Sequence, residues 1–497
     1  MTKQVYDLFI IGGGVNGCGI AADAAGRKLS VALCEQDDLA SHTSSSSSKL
    51  IHGGLRYLEY YEFRLVREAL IERDVLLKVA PQLVHPLRFI MPHNEFLRPA
   101  WMIRLGLFLY DHLNIKQSLP KSKALRLSDH PNNPLKPKYK KAFEYSDARV
   151  DDARLVVANA LQAKANGAAI LTRHKVISAS QEQDCWLIKV MDQHNQEKSF
   201  YAKALINASG PWVDKIIQDF SLETRHHVRL VKGSHIVAPK IYEGDQAYIL
   251  QNSDNRVIFV IPYQNQFSLI GTTDIDYQGD PSQLSCSPEE QDYLCNAVNA
   301  YFQYSISPKQ IIWSYAGVRP LQSDMHGDPK KVTRDYSLEV HDKEGKLPVL
   351  SIFGGKVTTY RKLAEHALEQ LQLYFPKMGK AWTAYSPLPG GDCGNFNAFC
   401  SQLEKAYPWL PKDLVNRLAN AYGSRCHELL KHAQSLQDLG LHFGAGLYEK
   451  EVRFMIETEW ARTLDDIIWR RSKLGLFLSP QEKDKLNNWL NQQPIKE

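Results

Sequence analysis

YDLFIIGGGVNGCGIAADAAGRKLSVALCE, residues 6–35, fixes the first element of the fold. Residues 6–11 are a short apolar run and predict a buried strand. Residues 15–28 are Ala-rich with apolar spacing that suits a helix, and residues 29–35 predict a second strand. The turn between strand and helix, Gly12-Gly13-Gly14-Val15-Asn16-Gly17, matches G-x-G-x-x-G. Gly12 permits the tight turn, Gly14 lets the backbone approach a pyrophosphate, and Gly17 lets the helix pack close to the strand. The helix start, with Asn16, presents N–H groups and a positive dipole end to phosphates. Glu35 lies 18 residues past Gly17, where an acid accepts hydrogen bonds from an adenosine ribose, with Gln36 beside it. A glycine-rich turn without a ligand does not account for strand, helix and acid all in register. Asp37 and Asp38 follow Gln36, and no Arg or Lys stands near to meet a 2′-phosphate, which argues against NADP. Only one full fingerprint occurs, since Gly444-Ala445-Gly446 lacks the third glycine and follows no predicted strand. A single site favours tightly held FAD over NAD, with electrons leaving to another acceptor.

Outward from this unit, the 497-residue chain is of ordinary globular composition: 44% apolar, 23% charged, net charge +5. That excludes a wholly disordered, collagenous or coiled-coil chain and is too weak a charge to argue for nucleic acid. The eight cysteines form no C-x-x-C pair, and their low density fits a reducing compartment. No stretch reaches the ~20 apolar residues of a membrane helix. Residues 41–48, SHTSSSSS, read out of context as a linker. Helical spacing runs over 61–79, 150–167, 288–304 and 357–374. A Pro-rich basic loop spans 120–141, and strand-like runs dominate 168–275. After the LPGG turn at 388–391 the periodicity is helical to the end, so the principal boundary is set between 387 and 388.

The stretch 44–59, SSSSSKLIHGGLRYLE, together with the fingerprint, resembles the FAD-dependent, membrane-associated glycerol-3-phosphate dehydrogenases of respiratory bacteria. So do NASGPWVD (207–214), VKGSHIV (231–237), IGTTDIDYQGDP (270–281), YAGVRPL (315–321), TRDY (333–336), GGKVTTYRKLAE (354–365) and EWARTLDDIIWRRSKLGL (459–476), in that order. The resemblance implies an α/β fold. A glutathione-reductase-like, Rossmann-type FAD-binding domain (about 1–80, 145–225 and 335–387) is interleaved with a D-amino-acid-oxidase-like α+β substrate domain (about 81–144 and 226–334). An all-α domain follows at 388–497. It implies oxidation of sn-glycerol 3-phosphate to dihydroxyacetone phosphate by hydride transfer to noncovalent FAD, electron delivery to ubiquinone, peripheral attachment to the cytoplasmic face of the inner membrane, and a homodimer. No D-x-[DN]-x-[DN]-G calcium loop of the mitochondrial relatives occurs.

The substrate is a dianion, and Arg suits it because its planar fork grips phosphate bidentately. By resemblance Arg56 faces the substrate with Tyr57 beside it. Arg319, before Pro320 and after a strand-like run, is assigned to a strand end and is the first choice for the phosphate or developing alkoxide; Arg334 is the second. Lys356 follows Gly354-Gly355 ahead of a helix that the resemblance sets under the flavin, with Gly355, Val357 and Thr358 at its start. A Lys and a helix N-terminus stabilise the negative charge of reduction. His235 is the candidate proton acceptor, kept neutral by Arg225, His226, His227, Arg229 and Lys232 nearby; His52 is the alternative. The resemblance sets Thr43, Ser44 and Ser48 against the pyrophosphate and flavin, with Lys49, Leu50 and Ile51 alongside the ring. Ala208, Gly210, Trp212 and Gly271 are further cofactor candidates. Residues 97–112, LRPAWMIRLGLFLYDH, have Trp101 and Tyr110 toward the ends and Arg98 and Arg104 along the stretch, the pattern of an interfacial helix or of an ordinary core helix. Residues 469–478, basic then apolar, are a second candidate. The rival readings are a glycerol-3-phosphate oxidase using O₂, an FAD oxidase of amines or amino acids, and a catalytically dead FAD-binding regulatory protein.

Overall fold

Two β-sheets face one another across a deep cleft. The computed structural model describes residues 4–94, 98–114, 118–129, 132–222, 224–252, 254, 256–324 and 335–493. Arg334 lies outside them.

The first sheet grows from the predicted strand-helix-strand unit. Val5–Ile11 pairs in parallel with Val31–Glu35 on one side and with Glu197–Asn207 on the other. Parallel neighbours Ala169–Thr172 and Lys346–Phe353 extend it, and Ser337–Lys343 closes one edge antiparallel. Alternate side chains serve opposite faces, as strand geometry requires. Leu8 and Ile10 pack under helices Val15–Gly26, Asp152–Ala165 and Tyr360–Gln370, while Phe9 and Ile11 meet Trp186, Ile188 and Val190 of the hairpin on the other face. From Leu8 to Ile11 the run is wholly apolar because both faces are covered there.

The second sheet has ten mostly antiparallel strands, drawn from 50–51, 84–93, 123–150 and 226–324, so the chain crosses repeatedly between sheets. Helix Pro288–Tyr301, opened by a Ser287–Glu290 capping box, covers one face. Helices Phe63–Val79 and Ala100–His112 cover the other. Beyond residue 388 a separate helical core forms around Leu403, Leu418, Phe443 and Met455. It includes one short hairpin, His442–Gly444 with Leu447–Tyr448, which helical periodicity did not register.

Two expectations about loops change. Residues 41–48 are not a linker: they form a compact turn around the 3₁₀ segment Thr43–Ser45, bonded to Val318 of the second sheet and to Asp152 at the start of helix Asp152–Ala165. The 120–141 segment contains a strand, Lys123–Arg126, paired with Lys141–Val150.

Candidate active site

The cleft between the sheets has a volume of about 990 Å³. Its inner end is the glycine turn. Gly12 holds φ +112°, where a Cβ would lie 2.5 Å from the Ala208 carbonyl oxygen. A Cβ on Gly17 would lie 1.9 Å from the Gly12 carbonyl oxygen, so strand and helix meet there backbone to backbone. Gly14 forms the helix N-cap with no side-chain cap, and the Val15 N–H donates to Ser44 Oγ at 2.9 Å. Asn16 Nδ2 donates to the Gly354 carbonyl at 3.2 Å, tying this turn to the Gly354-Gly355 turn, while its buried Oδ1 has no partner among the described residues. Glu35 accepts from the Gly13 N–H at 2.6 Å and the Asp37 N–H at 2.9 Å. Burial raises its carboxyl pKa, with those two N–H bonds opposing. A glycine cradle, an uncapped helix start, an orphaned amide oxygen and an acid at the second strand's end fit a dinucleotide.

The other cofactor candidates divide. Gln36, Thr43, Ser44, Ser48, Leu50, Ala208, Gly210, Trp212, Gly355, Val357 and Thr358 line the cleft. Gly17 serves helix packing. Lys49 turns away, its ammonium buried on Asp152 (2.9 Å) and the Ser45 carbonyl (2.8 Å). Ile51 is fully buried in the core. Gly271 lies beneath His235, where a Cβ would come within 2.1 Å of Cδ2.

At the outer end Arg56, Tyr57, His235, Arg319 and Lys356 line the same cleft. Gly54, at φ +73°, leaves room for the Tyr57 ring, since a Cβ would lie 2.3 Å from it. Lys356 Nζ sits 4.1 Å from the Tyr57 ring centroid, a cation–π contact. Arg319 is not at a strand end. It lies inside the strand Trp313–Asp324, opposite Val231, and Pro320 is tolerated because this edge strand pairs, among the described residues, with His226–Pro239 alone. Its Nη2 donates to the Thr273 carbonyl at 3.0 Å and pairs with Asp274 at 2.7 Å, both side chains 41% exposed. Asp274 and Asp152 were not singled out from sequence, because neither pattern shows which cation it meets.

His235 shares a 2.9 Å hydrogen bond between Nε2 and Ser48 Oγ and stacks on Tyr315 at 4.9 Å and 12°. Its pKa falls to about 3, first through burial and then through the charges of Lys49 and Arg319. The sequence neighbours expected to depress it do not: Lys232 is neutralised by Glu290 and Arg229 by Asp276. His52 is also held down, by burial and Lys356 against the opposing Asp147.

The 97–112 segment splits its face. In helix Ala100–His112, Trp101, Leu105, Phe108 and Leu109 are exposed. Tyr110 is fully buried, its hydroxyl on Asp147 at 2.7 Å, and Arg104, itself exposed, donates to Ser122. No helix among the described residues is long and apolar enough to cross a membrane.

Residues 7–361 match the family model for FAD dependent oxidoreductases, and residues 381–489 match that for the C-terminal domain of alpha-glycerophosphate oxidase. The chain is 53% identical over 489 residues to a glycerol-3-phosphate dehydrogenase of Pseudomonas aeruginosa, covering 98% of this chain and 95% of that one. It is 49% identical over 493 residues to a D-erythritol 1-phosphate dehydrogenase of Brucella abortus, covering 98% of each. A crystal structure of a glycerol-3-phosphate dehydrogenase from Bacillus halodurans complexed with FAD matches with a TM-score of 0.77 at 26% identity, covering 100% of this chain and 97% of that one. With the glycine cradle, the interleaved sheets and the helical C-terminal region all accounted for, the chain belongs to the FAD-dependent oxidoreductase family.

Proposed function

We propose that the protein oxidises sn-glycerol 3-phosphate at C2 to dihydroxyacetone phosphate and passes the electrons to a membrane quinone. The observation that carries this reading is the convergence of Arg56, Arg319 and Lys356 on the cleft that begins at the glycine cradle. Bound FAD supplies the two-electron acceptor. Arg319 is the phosphate ligand. Its pairing with Asp274 is half exposed and so worth little, and a dianion displaces it at small cost. Arg56 adds a second guanidinium from the turn after Gly54; Arg334 is proposed as a further phosphate ligand on sequence grounds alone. Lys356 and the helix start at Val357–Thr359 offset the negative charge that reduction brings. His235 takes the C2 hydroxyl proton. Substrate charge offsets Arg319 and relieves part of what depresses the imidazole, so the base strengthens when substrate is bound.

Exposed Trp101, Leu105 and Phe108 lie on the helix whose Met102, Ile103, Leu105 and Leu109 line the cleft mouth. That apolar rim supports peripheral contact with a bilayer and quinone approach from it. A second substrate reading, D-erythritol 1-phosphate, is favoured by the 49% identity to the Brucella abortus enzyme. Both substrates present a phosphate and a secondary alcohol.

The test is anaerobic. Glycerol 3-phosphate added to the purified yellow protein bleaches the flavin band near ~450 nm, and a quinone analogue restores it. Recovery with O₂ but not with quinone makes the protein an oxidase. Bleaching only by D-erythritol 1-phosphate moves the substrate to the longer polyol.

A further inference from the structure

The C-terminal region reaches into the active site through aromatic rings. Trp469 lies on the π-helical turn Asp466–Arg471. Its indole rests against Gly475, where a Cβ would come within 2.5 Å of Cε2, and stacks on Trp313 at 4.3 Å and 11°. Trp313 packs on Tyr315 at 4.8 Å, two residues along the same face of one strand. Tyr315 stacks on His235, its direct cross-strand partner. A single file of rings therefore joins the C-terminal core to the imidazole.

Little else fixes that imidazole. Nδ1 has no partner among the described residues, and Nε2 meets only a rotatable serine hydroxyl. The plane of the ring is set by Gly271 beneath it and Tyr315 against it. The Tyr315 hydroxyl donates to the Ser47 carbonyl at 2.8 Å, in the turn that Asp152 holds through Ser47 Oγ and Lys49. The C-terminal Lys473, 2% exposed, pairs with the adjacent Asp151 at 3.2 Å, so the same region also braces the serine side of the histidine.

We propose that Trp469 is a positioning residue of the active site, which fixes the plane of His235 through Trp313 and Tyr315. This deepens the functional reading above and rests on it. The effect belongs to the chemical step, because Trp469 touches neither the arginines nor Lys356. Small displacements of a reacting group are costly in rate.

The holoenzyme is mixed anaerobically with sn-glycerol 3-phosphate, and the limiting rate of flavin bleaching and its half-saturation are read by stopped flow. Trp469→Leu lowers the limiting rate about tenfold or more and moves half-saturation less than about twofold. Trp469→Phe, which keeps a stacked ring, restores most of the rate. Trp489→Leu, in the same core but packed on Phe443 away from the stack, leaves the rate at the wild-type value. An unslowed Trp469→Leu overturns the proposal, and so does an equal loss in Trp489→Leu, which would mark general loosening of the domain. If Trp469→Leu does not accumulate as yellow protein, Trp313→Leu is read against the same outcomes. A wild-type flavin that the substrate does not bleach overturns the functional reading and this inference with it; a bleached wild type with an unslowed variant overturns this inference alone.

Discussion

The two ends of the cleft are built by different means. The dinucleotide end is backbone chemistry from one contiguous stretch: Gly12, Gly14 and Gly17 clear space, and Glu35 reaches back 22 residues to the Gly13 N–H. The end proposed for substrate is side-chain chemistry, with Arg56, His235, Arg319 and Lys356 drawn from four separate segments that line the cleft. A site made of backbone fails when a single carbon is added. A site made of side chains survives substitution as a fold and fails as chemistry.

That contrast is broken most directly at Gly17. A methyl group there meets the Gly12 carbonyl oxygen at 1.9 Å; that oxygen is backbone and the methyl is fixed directly to the helix backbone, so neither yields without moving the cradle. Gly17→Ala is expected to abolish FAD binding and most soluble yield, measured as flavin absorbance per protein. Full flavin occupancy in this variant would mean that helix and strand slide apart cheaply.

Arg319→Met is the corresponding change at the outer end. It is expected to keep the FAD content unchanged, since Arg319 is bonded to Thr273 and Asp274 and not to the cradle. kcat/KM should fall about a hundred- to thousandfold, the usual cost of removing a charged stabiliser from a reacting site. A loss of flavin in this variant would erase the distinction between the two ends.

What the sequence made legible follows the same division. The glycine turn, its flanking elements and Glu35 lie within thirty residues, so their spacing carries their geometry. At the substrate end the residue types were legible from local motifs, but their settings were not. Pro320 suggested a strand end because local reading cannot tell an edge strand, which tolerates proline, from a terminus. The basic residues before His235 suggested the source of its low pKa, yet burial dominates, and the charges that matter come from Lys49 and Arg319, far away in sequence. The 97–112 pattern fitted an interfacial helix or a core helix alike, and for Tyr110 the fold decides it by bringing Asp147 to its buried hydroxyl. The Trp469–Trp313 stack joins residues more than 150 positions apart, and no periodicity announces it.

The ends also differ in their response to pH. His235 is neutral in the fold, with a pKa of about 3 against 6.5 for an unperturbed imidazole. Between those values the unfolded chain binds the extra proton, so stability contributed here is present above pH 6.5 and is lost as pH falls. At pH 5 the loss is roughly 2 kcal/mol. Glu35 has the opposite sign: its folded pKa is raised, so protonation below that value, down to 4.5, returns stability. Urea unfolding at pH 7.5 and pH 5 is expected to show His235→Asn losing less stability on acidification than wild type, by about that amount. Equal losses would mean that acid opens the outer end before the imidazole is charged.

The smallest expected effect lies at Glu35 itself. Both carboxylate oxygens already accept backbone N–H groups, from Gly13 and Asp37, so the acid shapes the loop whatever it does for the ribose expected beside it. Glu35→Gln keeps one acceptor oxygen for Gly13. It replaces the other with an NH₂ that can accept neither the Asp37 N–H nor a ribose hydroxyl. One strong hydrogen bond from a charged acceptor is worth about 1.5 kcal/mol or somewhat more, so FAD affinity should weaken about tenfold while kcat of the saturated enzyme stays within about twofold. Titration of apoprotein with FAD, followed by quenching of flavin fluorescence, reads this directly. An unchanged affinity would assign Glu35 to loop shape alone, and the dinucleotide end would then be held wholly by backbone and helix dipole.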